Sequence, residues 1–309
     1  MIILKSKRIV ALVMCLSLLS VTTAVTASAA DNDSAISMNG FEVTGAEFTH
    51  DENHPVKPAS DELLAATSLD EIAEISLKNF EASEASSAET ISEISEGFEN
   101  YLMELESSEA VVTSSYTVSQ EAFFAYLCYA DGISATELVT AKNDASAALS
   151  EAQSVYPNDP GNLQDSYRHF TWNFRLTKDI SKAKARIITC GYEWEAVLRP
   201  YAQSAYNKYV DEGYSSSTAL TKAYQYAYYM REDCYSVCAA GVKYFSAIFD
   251  NASVRDFWNN CYGRAYAANY SSRSTAFTAA NNAGVLINSD SSVTSTHINN
   301  VWSWDWYTV

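Results

Sequence analysis

Basic side chains are scarce in this chain: its 309 residues carry 20 Lys and Arg against 38 Asp and Glu, a formal net charge of −18. That balance repels polyanions, so no nucleic-acid partner is expected. Cysteine is sparse as well. Beyond Cys15 there are Cys128, Cys190, Cys234, Cys238 and Cys261, too few for a fold that depends on disulfides, and their odd number leaves at least one thiol unpaired or pairing between chains. Cys234 and Cys238 sit four apart in a helical pattern, a spacing that shares one face but suits a mutual disulfide badly, so they read as core cysteines. Also missing are a Gly-x-Ser-x-Gly elbow, a His-Glu-x-x-His helix and a phosphate loop. No Cys or His pair has ligand spacing beside the cysteines, so no metal is expected, and the cofactor stays unknown. After the N-terminus no run is apolar and long enough to span a bilayer, which predicts no integral membrane association.

Enough is present to build a protein outside the cell. Lys5, Lys7 and Arg8 precede an apolar run over residues 9–19, and Ala27-Ser28-Ala29-Ala30 supplies small residues for cleavage; this predicts a removed secretory signal over 1–30 and a secreted, extracellular mature protein. Hydrophobic residues make up 48% of the chain, which excludes a wholly disordered protein. Charge divides the mature chain. Residues 31–110 hold 20 acids against only Lys57 and Lys78, and the remainder is close to balanced. Residues 31–60, with Pro55 and Pro58, read as a linker. Beyond it lie two helical stripes, Leu63, Leu64, Leu69, Ile72, Ile75 and Phe80, then Ile91, Ile94, Phe98, Leu102 and Leu105. The organisation predicted is a signal over 1–30, an acidic linker and helices over 31–115, and a helical domain over 116–309 that folds without the acidic segment.

The expected fold class is all-α. Helical patterns cover 120–129, 135–155, 162–178, 182–195, 201–210, 217–249 with interruptions, and 254–270, with a break at Pro157-Asn158-Asp159-Pro160-Gly161. Residues 301–307 alternate with period two and predict an extended tail carrying Trp302, Trp304 and Trp306 on one side. His50, His54 and His297 read as surface histidines, while Asn281-Asn282-Ala283-Gly284 and His297-Ile298-Asn299-Asn300 read as turns.

Chemistry-bearing residues concentrate in two segments. In the first, Asp165, His169 and Asn173 are successive i, i+4 neighbours on a helix, with Arg168 and Trp172 on the adjacent ridge. Asp165 is placed to orient His169 and raise its basicity, as for a general base, and Arg168 to steady an anion or stack on Trp172. A polar ladder that satisfies itself and fixes helix register has the same pattern. The second segment holds Asp256, Asn259, Asn260, Gly263 and Arg264, with Asp256 and Asn260 on one face. Gly263 costs about 1 kcal/mol against Ala inside a helix, which implies close approach of a partner helix. Buried polar groups need partners, and each segment is the other's best counterpart, so His169 is expected beside Asp256 or Asn260.

Together the segments resemble a bacterial helical domain family of unknown function, found in secreted, wall-associated and toxin-like proteins, whose members carry D-x-x-R-H-x-x-W-N on one helix and D-x-x-N-N-x-x-G-R on a later one. The resemblance rests on Asp165, Arg168, His169, Trp172 and Asn173, then Asp256, Asn259, Asn260, Gly263 and Arg264, and spans about 100 residues. It implies a helical domain with a shared polar site. The family has a His-Glu pair between the motifs where this chain has Tyr192-Glu193, and a His where it has Trp258; if those histidines are ligands or bases, this copy is impaired. Two functions are consistent with these residues. One is an extracellular binding or structural module with a polar interhelical site, its partner unknown, in which Trp172, Asn259, Arg264 and Glu193 bind and a Tyr-rich surface of Tyr224, Tyr226, Tyr228 and Tyr229 contributes. The other is a hydrolase of an extracellular polymer or lipid using His169 with Asp165 and Asp256, with Arg168, Asn173 and Asn260 as further catalytic candidates.

Overall fold

Serine, threonine and aspartate side chains start most of the helices. The computed structural model describes residues 57–84, 88–108, 118–159, 161–240 and 242–307, which form twelve α-helices, one short 3₁₀ turn and no strand. Ser60, Ser119, Ser134, Ser181 and Asp250 each accept a backbone N–H from the first turn of the helix they precede, which satisfies donors a helix cannot pair internally. The signal, most of the linker, His50 and His54 lie outside the described residues.

In chain order the helices are α1 (Asp61–Ala65), α2 (Leu69–Glu84), α3 (Ala88–Ser107), α4 (Gln120–Ala130), α5 (Ala135–Val155), α6 (Leu163–Asp179), α7 (Lys182–Asp211), α8 (Ser216–Ala240), α9 (Val242–Ile248), α10 (Asn251–Ala267), α11 (Arg273–Asn282) and α12 (Ser295–Tyr307). The 3₁₀ turn, Asp290–Ser292, joins α11 to α12. At the centre α6 lies along α10, flanked by α5, α7 and α11, while α7 packs on α8 and α4. None of the described helices is long and apolar enough to cross a membrane.

The helices of the acidic segment share the core of the rest. Ile72 and Phe80 of α2 are buried on α8, where Ser76 Oγ donates to Asp233 Oδ2 at 2.8 Å and the Tyr226 hydroxyl donates to the Ala73 carbonyl at 3.0 Å. From α3, Phe98 meets Tyr126 edge-on and packs on Tyr129 and Tyr224. The tyrosine-rich span therefore faces inward: Tyr224 and Tyr226 are buried, and Tyr228 donates to Asp131. The neighbours on α2, α3 and α4 cover Tyr224 and Tyr226, while Tyr228 and Tyr229 stay half-buried.

Three local expectations change. The separate patterns over 182–195 and 201–210 are one helix, since α7 runs unbroken through Pro200; Pro200 and Ala196, whose carbonyl loses its donor, are both exposed, where solvent can reach that carbonyl. The C-terminal tail is helix rather than strand. Thr294 Oγ1 accepts the His297 N–H and starts α12, whereas an extended tail would find no strand to pair with among the described residues. The same helix includes His297 to Asn300, read as a turn; the His297 ring packs on Trp258, with centroids 4.5 Å apart, and is half-buried rather than a surface group. All five cysteines of the described residues are buried thiols, and none is in a disulfide.

Candidate functional site

Asp159 prepares α6: its carboxylate accepts the Leu163 N–H at 3.2 Å and holds the Asn162 amide at 2.8 Å, so the Pro-rich break turns directly into the helix. Asp250 does the same for α10. The two helices touch backbone to backbone at Gly263, where a Cβ would collide with the Phe170 carbonyl oxygen and come within 3.0 Å of Asn173 Cβ. Glycine is thus a steric requirement of the crossing, and the crossing brings both polar segments to one place.

His169 is oriented by an amide. Its Nδ1 lies 3.1 Å from Asn260 Oδ1, and its Nε2 lies 2.6 Å from Arg168 Nη2. A guanidinium can only donate, so Nε2 accepts, the proton sits on Nδ1, and the ring donates to Asn260. Asn173 Nδ2 donates to the same Asn260 oxygen at 2.6 Å and to the His169 carbonyl at 3.1 Å. Two carboxylates stand beyond Nε2, with Asp256 Oδ2 at 3.3 Å and Asp165 Oδ1 at 3.9 Å. The expected Asp165–His169 hydrogen bond is absent at that distance. Asp165 is drawn instead to two cations: Arg168, 2.5 Å from its Oδ1, and Arg255, which holds its Oδ2. Arg255 also reaches Asp256 Oδ1 at 3.0 Å, Asp290 at 2.6 Å and the Gly161 carbonyl at 3.2 Å.

Charge is set by this geometry. Burial and the neighbouring Arg168 push the His169 pKa down to about 3, so the imidazole is neutral; its basicity falls rather than rises. Burial would lift Asp165, but the Arg168 and Arg255 guanidiniums outweigh it and hold the carboxyl below its usual range. Burial and the Asp165 charge raise Asp256, which Arg255 and Arg168 only partly offset. The two carboxylates are therefore driven apart in proton affinity, the pattern that divides acid and base roles between a pair. His169 is 1% exposed, whereas the Asp165 and Asp256 side chains retain 17% and 13%, so solvent meets the cluster on the carboxylate side. Asp165, His169 and Asp256 each offer one ligand-type atom, and these atoms all lie within 4.8 Å of one another.

The other expected residues lie around this cluster. Arg264 donates to Asn173 Oδ1 at 3.0 Å and, with Thr189 of α7, completes a buried network below His169. Asn259 clamps the Ile287 backbone through both its N–H and its carbonyl, and Ser166 donates to the same carbonyl, which fastens the segment after α11 to both motif helices. Trp172 gives its indole N–H to the Ala141 carbonyl and packs edge-on to Tyr192; it is a wall of the core, and Arg168 pairs with Asp165 instead of lying on it. Glu193 is buried and lies in the electrostatic field of Arg168. Arg255 was missed by sequence reasoning. Its one signal was a charge adjacent to Asp256, and nothing in a linear pattern says that this guanidinium bridges that carboxylate to Asp165, 90 positions before the arginine.

No protein-family model, no curated protein and no solved structure matches the chain.

Proposed function

We propose that this protein is an extracellular hydrolase whose site is the Asp165, His169 and Asp256 cluster at the crossing of α6 and α10. The observation that carries this reading is convergence: Nε2 of a neutral, tautomer-fixed imidazole and one oxygen from each carboxylate lie within 4.8 Å of one another on the solvent-reaching side. A water that takes the place of the Arg168 guanidinium between Asp165 Oδ1 and His169 Nε2 is met by proton acceptors, and hydrolysis needs such a group to take its proton as the oxygen attacks. Arg255 keeps both carboxylates in place from the outer side. The secretory signal predicted over 1–30 makes an extracellular polymer or lipid the natural substrate class. The motif resemblance is compatible with this, because Asp165, Arg168, His169, Asp256 and Asn260 are all present even where Tyr192 and Trp258 replace the family's histidines.

A structural module is the second reading, favoured by the buried Asn173, Asn260, Arg264 and Thr189 network, which locks α6, α7 and α10 together. One experiment separates them. The mature protein, His169→Ala and Asp165→Asn are assayed against cell-wall polymer, polysaccharide, phospholipid and simple esters, with melting curves in parallel. Hydrolysis by the wild type that both variants lose, with Asp165→Asn melting near the wild type, supports the enzyme. Absence of turnover on every substrate, with a several-degree fall in melting temperature for both variants, supports the module.

A further inference from the structure

We propose that Asp165, His169 and Asp256 form a binding site for one divalent transition cation of the zinc or manganese kind, and that the Arg168 guanidinium occupies its position in this structure. The inference deepens the hydrolytic reading by naming the ion that would polarise its water, and rests on that reading for its chemistry though not for its geometry.

No ligand spacing is visible along the chain because the ligands come from two helices: an i, i+4 pair on α6 and a carboxylate on α10, ninety positions away. In space they are already close to a coordination shell. Metal–ligand bonds of about 2.0–2.2 Å in a tetrahedral site set ligand atoms about 3.3–3.6 Å apart. His169 Nε2 and Asp256 Oδ2 are 3.3 Å apart, and His169 Nε2 and Asp165 Oδ1 are 3.9 Å apart. The carboxylates also sort their oxygens. Arg255 takes Asp165 Oδ2 and Asp256 Oδ1 on the outside, leaving Asp165 Oδ1 and Asp256 Oδ2 turned toward Nε2. His169 presents the deprotonated nitrogen that a metal requires, because its other nitrogen donates to Asn260, the second-layer arrangement that orients metal-bound imidazoles.

The independent observation is Arg168. Its Nη2 lies 2.5 Å from Asp165 Oδ1 and 2.6 Å from His169 Nε2, so a positive group sits between two of the three ligand atoms. The side chain is nine-tenths buried, and its Nε has no hydrogen-bond partner. No second anchor on that nitrogen opposes its displacement. Three protein ligands with a remaining open side match the catalytic kind of zinc site, in which the fourth position holds water. Calcium prefers six to eight oxygens, more than this nitrogen-containing triad offers.

The test uses the mature protein, stripped with a chelator and titrated with Zn²⁺, Mn²⁺ and Ca²⁺ by calorimetry, with melting curves and with Co²⁺ as a spectroscopic probe. The expected result is one equivalent of Zn²⁺ or Mn²⁺, a rise in melting temperature of several degrees, and cobalt bands of low coordination number. Asp165→Asn and His169→Ala abolish these effects, and Asn260→Ala weakens binding about 10- to 100-fold. Arg168→Ala removes the competitor: it melts lower without metal, because Arg255 alone is left to balance the Asp165 and Asp256 carboxylates, and Zn²⁺ restores it. Failure of Zn²⁺ and Mn²⁺ to bind both the wild type and Arg168→Ala overturns the proposal, as does binding that is equal in Asp165→Asn. Hydrolysis that survives the chelator overturns the metal site and leaves the hydrolase standing. A bound metal without turnover on any substrate overturns the hydrolase and leaves the metal site standing.

Discussion

His169 and Asn260 are joined by a 3.1 Å contact from Nδ1 to Oδ1 across the α6–α10 crossing, and Asn173 donates to the same oxygen. One amide oxygen thereby fixes the imidazole tautomer and ties the motif helices together. Asn260→Ala leaves two buried donors without their acceptor, at about 1–3 kcal/mol each. The expected outcome is a drop in unfolding free energy of a few kcal/mol in urea titration. A loss below about 0.5 kcal/mol, the range of neutral surface changes, would count against the network.

Gly263→Ala should also destabilise. Alanine adds about 1 kcal/mol of helix propensity, but its Cβ would collide with the Phe170 carbonyl oxygen. That neighbour is backbone, so the helices themselves must separate, and overpacking of this kind costs about 1–3 kcal/mol or more. Melting temperature is the readout, and an unchanged or raised value contradicts the close crossing.

Glu195 supplies a pH dependence away from the site. It is buried in α7 with its Oε1 2.6 Å from Arg199 Nε, and burial, only partly offset by Arg199, lifts its pKa to about 7. The unfolded value is about 4.3. A folded pKa above the unfolded one means that folding favours the protonated form, so this contribution is full below about pH 4 and is lost as pH rises through about 7. Glu195→Gln keeps the acceptor and removes the charge. Its melting temperature relative to wild type should climb from about pH 5 to about pH 8, and a difference that stays flat with pH would reject this role for Glu195.

Truncation to a chain that starts at residue 118 should fail to give a cooperative melt at the wild-type temperature. Helices α2 and α3 cover Tyr126, Tyr224 and Tyr226. Uncovering roughly half of the 150–250 Å² on each ring costs about 6–9 kcal/mol, comparable with the whole 5–15 kcal/mol stability of a domain. A truncated protein that melts cooperatively within a few degrees of the full chain would show that the acidic segment is dispensable for folding.

The amino-acid sequence by itself determined the helices, because apolar spacing is a local signal: the patterns over 120–129, 135–155 and 182–195 and the break at residues 157–161 were legible directly, and the caps at Ser119, Ser134 and Ser181 stand one residue before those starts. It also determined that Asp165, His169 and Asn173 share a face, and that Gly263 implies a close neighbour, since both stem from the helical period and the cost of glycine. Local signals misled where burial decided. Pro200 is tolerated because its face of α7 is exposed, and the tryptophan alternation after Val301 lies on a helix because no strand is there to pair with among the described residues. The tertiary structure alone decided what the polar residues do. Two charges three or four positions apart on one helix can orient a base or neutralise one another, and the outcome depends on a third charge from elsewhere. Here that charge is Arg255, which draws Asp165 away from His169, leaves Asn260 to set the tautomer, and turns one oxygen of each carboxylate toward Nε2.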